Sequence, residues 1–281
     1  KLKTRKLNFN LRNSMNQNSK IGIIGCGWLG FALAKKLISE NYQVKGSTTS
    51  IEKIEKFNKH NIEPCLLQIN EDEIIGEIST FLKNLNILII SIPPKSRKNS
   101  SNSYLNKIRC LNKEIQKSSI KKIIFISSTS VYGSTQGEVD SNIIANPNTA
   151  NGALILESEK FFNNKYSTVI RFGGLIGNDR NPVFFLIKKL EIKNSLAPIN
   201  LIHLDDCIGI ISSIINKNMW GKVFSAVAPY HPSKKEYYTK KSIEFGLGKL
   251  NFSELKTKIN KQISDNKIKD DLNYSFIYPK L

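Results

Sequence analysis

Lys20-Ile-Gly-Ile-Ile-Gly-Cys-Gly-Trp-Leu-Gly30 decides how the rest of this chain is read. Its first half is a short apolar run in which Ile21, Ile23 and Ile24 are β-branched, suited to a buried parallel strand. Gly25, Gly27 and Gly30 then fall in a GxGxxG spacing, and Phe31-Ala-Leu-Ala-Lys-Lys-Leu-Ile continues as a helix. In a strand–turn–helix context each glycine has a physical job. One makes the tight turn, one lets backbone approach a pyrophosphate, and one lets the helix pack closely on the strand. The helix start points N–H groups and the positive end of its dipole at the same spot. The pattern marks a dinucleotide site over Gly25, Cys26, Gly27, Trp28, Leu29 and Gly30; a purely structural glycine turn is the alternative.

Outward from this unit, Tyr42-Gln-Val-Lys-Gly-Ser-Thr-Thr-Ser50 reads as a second strand ending in hydroxyl residues. An acidic residue about 20 positions past the glycines normally takes the ribose hydroxyls of NAD. Here Thr48, Thr49 and Ser50 stand there, with Lys53 one turn into the next helix. Hydroxyl donors and a cation without a carboxylate favour the 2′-phosphate of NADP; NAD is left possible through Glu52, a first-turn residue whose default role is to complement the helix dipole. Glu63-Pro-Cys-Leu-Leu-Gln-Ile suits a third strand, residues 74–85 an amphipathic helix, and Asn86-Ile-Leu-Ile-Ile-Ser-Ile-Pro-Pro94 a fourth strand stopped by prolines. Ile92 and Pro93 stand where the ends of such strands face a ligand crevice. A helix over 103–118 and a fifth strand, Lys121-Lys-Ile-Ile-Phe-Ile-Ser-Ser128, follow. Single strands alternating with helices predict right-handed βαβ units. The fold class is α/β, a Rossmann-like doubly wound parallel sheet. A small C-terminal substrate lobe, from about 173 to 281, is continuous with it.

The fifth strand runs into Ile124-Phe-Ile-Ser-Ser-Thr-Ser-Val-Tyr-Gly133, and two later runs accompany it: Thr168-Val-Ile-Arg-Phe-Gly-Gly-Leu-Ile-Gly177 and Asn200-Leu-Ile-His-Leu-Asp-Asp206. From Lys20 onward the chain resembles the extended short-chain dehydrogenase/reductases of the NAD-dependent epimerase/dehydratase type. It is most similar to an atypical, YeeZ-like branch. The glycine spacing departs from the GxxGxxG usual in that group. The resemblance implies an NAD(P)-dependent oxidoreductase or epimerase of a small molecule, a nucleotide sugar among the choices. It also implies that Ser128 hydrogen-bonds a substrate oxygen; a strand-end hydroxyl satisfying backbone is the alternative. The family's next motif carries a Tyr and a Lys four residues on, the Lys lowering the Tyr pKa for proton exchange. Laid over Pro147-Asn-Thr-Ala-Asn-Gly-Ala-Leu-Ile-Leu-Glu-Ser-Glu159, that pair falls on Asn151 and Ile155, neither of which does this chemistry. Tyr132 is then the candidate replacement acid, with packing as the competing role. The missing pair also supports a second function, a non-catalytic NADP-binding sensor on the same scaffold. By resemblance His203 holds core and lobe together. Asp205 and Asp206 open a helix and read as caps.

The composition fits this picture. The 281 residues are 40% hydrophobic, enough for a full core, and no apolar run approaches a membrane span. The net charge of +19 is spread over helix surfaces such as Lys35-Lys36, Lys188-Lys189 and Lys240-Lys241, without a basic-aromatic recognition pattern, so no nucleic-acid partner is expected. Cys26, Cys65, Cys110 and Cys207 show no ligand spacing and read as reduced thiols of a cytoplasmic protein, with no metal site. Residues 1–19 are basic and acid-free. They read as a disordered extension, with Met15 a candidate start and a transit peptide the rival. Near the C-terminus Ser233 is a plausible helix cap, and Tyr274-Ser-Phe-Ile-Tyr-Pro279 is strand-like and apolar enough to dock. A monomer or homodimer binding a small molecule is expected.

Overall fold

The computed structural model describes residues 19–94, 103–177, 179–253, 260–264 and 266–281. The expected extension over 1–19, with Met15, therefore lies outside the described residues except for Ser19. β1 (Lys20–Ile24), α1 (Trp28–Ser39), β2 (Gln43–Thr48), α2 (Glu52–Asn58), β3 (Ile62–Leu66), β4 (Ile87–Ile90), α3 (Ser103–Gln116) and β5 (Lys122–Ser128) make the first half of the fold. α4 (Ala150–Glu159), β6 (Ser167–Phe172), α5 (Leu204–Asn216), β7 (Val223–Ala226) and α6 (Lys234–Glu244) follow. The seven strands form one sheet in the order β7-β6-β5-β4-β1-β2-β3. β1 pairs in parallel with both β2 and β4, Ile21 standing beside Val44 on one side and Ile87 on the other. β2–β3 and β4–β5 are parallel too. The chain thus runs outward from β1 to β3, then returns to β1's other edge with β4. That reversal creates the crevice in which doubly wound sheets bind ligands.

Burial explains why these strands read as unbroken apolar runs. Ile21, Ile23 and Ile24 are at most 1% exposed and Leu88, Ile89 and Ile90 are fully buried, because both sheet faces are covered. Two expected elements differ. The third strand stops at Leu66, and Gln68–Ile69 instead pairs antiparallel with Ile74–Ile75. The helix expected over 74–85 shrinks to Ile78–Leu82. Gly76 is the cause: its φ of +108° breaks any helical run, and a Cβ there would strike the Leu66 carbonyl.

The chain divides into two compact units. The first holds the described residues up to Ile126 with Glu157–Val169 and Met219–Lys222; the second holds Ser127–Leu156, Ile170–Asn218 and Val223–Leu281. Most of the lobe expected from about 173 lies in the second unit. In it a two-stranded parallel pair, Gly174–Ile176 with Leu201–His203, packs in a cluster with Val183, Ile199 and Tyr237. Ser233 caps α6 by accepting the Glu236 N–H.

The start of α5 differs from the expectation. His203, not either aspartate, is the N-cap, its Nδ1 accepting the Asp205 N–H at 3.3 Å. Asp206 is fully buried and turned to the C-terminal segment. Its carboxylate accepts from the Tyr274 hydroxyl (2.9 Å), the Ile277 N–H (2.7 Å) and the Tyr278 N–H (3.0 Å). The segment docks as expected, but through this carboxylate and not as a strand. Asp206→Ala leaves three donors without their acceptor. It is expected to cost about 3 kcal/mol and to expose the segment to protease, whereas Asp205→Ala costs at most about 0.5 kcal/mol. Urea unfolding and limited proteolysis check both.

Candidate functional site

The glycine turn between β1 and α1 is built by three different constraints. Gly25 has φ +81°, and a Cβ there would stand 2.5 Å from the Ser91 carbonyl oxygen just past β4. A Cβ on Gly30 would meet the Gly25 carbonyl at 2.9 Å and the Ile23 side chain at 3.1 Å. Those two glycines are required by the protein's own atoms. Gly27 is not. It is exposed, and the nearest atom to a Cβ there would be the Gly25 carbonyl at 3.9 Å. The protein has room for a side chain at this turn, and without one the backbone there is open to a molecule approaching from solvent. Gly27 is also the N-cap of α1, which has no side-chain cap and no acid in its first turn. Backbone donors with the positive end of a helix dipole suit a pyrophosphate. The residues fit the dinucleotide that the motif implies.

The neighbours of the turn are partly structural. Ser47, which the sequence reading passed over, accepts the Gly25 N–H on its hydroxyl (3.0 Å) and the Cys26 N–H on its carbonyl (3.1 Å). Cys26 is buried, its sulfur packed against Gly46, and burial pushes its thiol pKa up to about 12 against the pull of Lys53. With its N–H bonded to Ser47 and its thiol buried, Cys26 shapes the turn from within. Leu29 is likewise a core side chain; Trp28 is half-buried.

At the end of β2, Thr48 is buried and its hydroxyl accepts the Ser50 N–H at 3.1 Å. Thr49 and Lys53 are exposed. The Ser50 hydroxyl donates to the exposed Glu52 carboxylate, and this bond holds Glu52 below the usual carboxylate range. A charged acid therefore stands on Ser50, the carboxylate through which the sequence leaves NAD possible. Past β4, the Ile92 carbonyl accepts the Tyr104 hydroxyl at 3.2 Å, and Pro93 is exposed.

In the second unit, Ser128 is the N-cap of a short 3-10 turn, Thr129–Tyr132, its hydroxyl oxygen accepting the Ser130 N–H at 3.2 Å. That is the strand-end role given as its alternative, and it leaves the hydroxyl proton to donate. Tyr132 is fully buried, its hydroxyl 2.6 Å from the Ser225 hydroxyl and accepting from Arg171 at 2.9 Å. The Arg171 guanidinium also lies over the Tyr132 ring, 5.0 Å from its centroid. Tyr132 is therefore a packing residue with a committed hydroxyl, a correction to its expected place as replacement acid. Arg171 and Ser225 were not singled out in the sequence; an Arg set between Ile170 and Phe172 in a strand was the available signal. Asn151 is half-buried in the first turn of α4, and Ile155 is a core residue. His203 is a helix cap whose ring lies 3.8 Å from that of Tyr278. Among the described residues no group of three or more His, Cys, Asp or Glu is placed to hold a metal ion, and no helix is long and apolar enough to cross a membrane.

The architecture is a Rossmann-like fold shared with solved structures of low sequence identity. Over 91% of the chain it superposes with a TM-score of 0.77 on 93% of a UDP-glucuronic acid 4-epimerase from Bacillus cereus solved with NAD, at 19% identity. A functionally unknown conserved protein from Silicibacter pomeroyi gives 0.74 over 93% of this chain and 95% of that one, also at 19% identity. Residues 20–127 match the family described as NADP oxidoreductase coenzyme F420-dependent. Protein YeeZ of Escherichia coli K12 is 31% identical over 266 residues, 92% of this chain and 96% of that protein. The chain belongs to the YeeZ family.

The three glycines separate by experiment. Gly27→Val is expected to lose dinucleotide binding at least a hundredfold while lowering stability by no more than about 1 kcal/mol, the cost of a poor N-cap residue. Gly25→Ala and Gly30→Ala are expected to lower stability by about 1–3 kcal/mol. Thermal melts beside NADPH titrations check this.

Proposed function

We propose that the chain is an NAD(P)-dependent enzyme of the oxidoreductase or epimerase/dehydratase kind acting on a small molecule, with nucleotide sugars the first class to test. The observation that carries this reading is Gly27, a turn glycine with open space where its Cβ would be, at the uncapped start of α1. A nicotinamide dinucleotide, when bound, supplies hydride transfer. The chain's part is to hold it and to orient a substrate. The start of α1 would take the pyrophosphate, Thr49 and Lys53 the 2′-phosphate of NADP, and the Ser128 hydroxyl would donate to a substrate oxygen. The UDP-glucuronic acid 4-epimerase with NAD, among the structures of the same fold, supports the dinucleotide and the substrate class together. A cytoplasmic protein acting without nucleic acid or membrane, as monomer or homodimer, is part of the same proposal.

A second reading, a non-catalytic NADP-binding sensor, is favoured by one observation. Asn151 and Ile155 replace the proton-exchanging pair, and Ile155 lies in the core where a Lys would be desolvated. Nicotinamide absorbance and fluorescence, followed against a panel of carbonyl compounds and nucleotide sugars, separate the two. Turnover supports the enzyme, tight binding without turnover the sensor, and absence of binding overturns both.

The cofactor choice has its own test. Lys53→Gln is expected to weaken NADPH binding roughly tenfold with little change for NADH, the worth of one charge-assisted contact. Glu52→Gln, which removes the carboxylate held by Ser50, is expected to strengthen NADPH binding. Titration of both cofactors into parent and variants at one ionic strength checks this; equal effects on NADH and NADPH would sink the preference for NADP.

A further inference from the structure

A cleft of about 240 Å³ opens in the second unit between residues 197–201 and α6. Two lysines line it, Lys234 and Lys261, together with Tyr238 and Asn200, and among the described residues no acidic one does. Asn200 is used by the fold: its amide donates to the Lys261 carbonyl (2.9 Å) and accepts the Ile263 N–H (2.8 Å). Lys261 is half-buried, and its ammonium donates to the Gly133 carbonyl in the turn that follows Ser128. An ammonium has three donors, so two remain. Lys234 is the first residue of α6, its backbone N–H held by the Ala197 carbonyl at 2.9 Å. Among the described residues its ammonium has no ion pair. Burial lowers the pKa of both lysines, and Lys189 adds to the effect at Lys234.

Two half-buried ammonium groups on one cleft, with no acid among its described lining residues, oppose their own burial. A bound anion removes that opposition and can accept from both ammonium groups. The Tyr238 hydroxyl, in the same lining, offers one more donor. We propose that this cleft is an oxyanion site, in which Lys234 and Lys261 hold the phosphate or carboxylate of a small molecule. That the molecule is the substrate of a dinucleotide-dependent reaction rests on the function proposed above; the anion site itself does not.

The test titrates inorganic phosphate and, separately, malonate into the full chain by calorimetry. It uses the parent, Lys234→Met, Lys261→Met and Gly27→Val. One site is expected in the parent, weakened roughly tenfold by either lysine substitution and unchanged by Gly27→Val. Phosphate binding alone identifies a phosphate ester as the ligand class, and malonate binding alone a carboxylate. Absence of binding by both probes, binding indifferent to the two lysines, or binding lost in Gly27→Val overturns the proposal. Melting without added anion guards against misfolding: Lys234→Met removes an unpaired cation and is expected to leave Tm at or above the parent's, a lower Tm contradicting that reading, whereas Lys261→Met also loses the bond to the Gly133 carbonyl and is expected to melt somewhat lower. A parallel NADPH titration of the parent reports on the dinucleotide site independently.

Discussion

The approach of the Gly25 backbone to the Ser91 carbonyl is the contact on which the first unit depends. β1 is an inner strand between β4 and β2, and the chain must leave its end by turning sharply beside the end of β4. A side chain at Gly25 would stand 2.5 Å from that carbonyl and would force β1 and β4 apart. With the turn seated, Ser47 takes both the Gly25 and Cys26 N–H groups, which ties the end of β1 to β2. The same three strands thus fix the loop from both sides. The start of α1 is aimed by packing alone, because no side chain caps it.

The second unit rests on a different kind of contact. Asp206 is a fully buried carboxylate, which is tolerable only because three donors surround it. Tyr132 and Arg171 show the same rule nearby, a buried hydroxyl and a buried guanidinium bonded to each other and to Ser225. Polar groups here specify which segments meet, while the apolar cluster around Tyr237 supplies the burial. Asn181 joins the two by donating to the Tyr237 hydroxyl at 3.0 Å and accepting the Val183 N–H at 3.0 Å.

What the sequence made legible was local. The parallel strands, the glycine turn and the Ser233 cap each follow from neighbouring residues whose periodicity or spacing has one physical solution. The helix over 74–85 failed because Ile74, Ile75, Ile78 and Phe81 keep helical spacing around a glycine whose positive φ depends on the distant Leu66 carbonyl. Asp206 was read as a cap because acids at a helix start usually are; its partners lie about seventy residues on, beyond any local pattern. Tyr132 was singled out by its place in the loop, and only the fold puts Arg171 and Ser225 against it. The carboxylate on Ser50 was in view as Glu52, yet its direction depended on a side-chain bond that spacing does not determine.

The Asp206 contacts also set an order for biosynthesis. The aspartate emerges from the ribosome 68 to 72 residues ahead of the three donors that neutralise its burial. Until Tyr274 and the residues after it emerge, α5 carries a carboxylate that must stay hydrated, and its buried face cannot close. The first unit's central strands have no such dependence: β1 to β5 lie within the first 128 residues. The nascent chain therefore has a completed sheet centre long before its second unit can close, and a stalled ribosome would hold out a half-built partner for chaperones to shield.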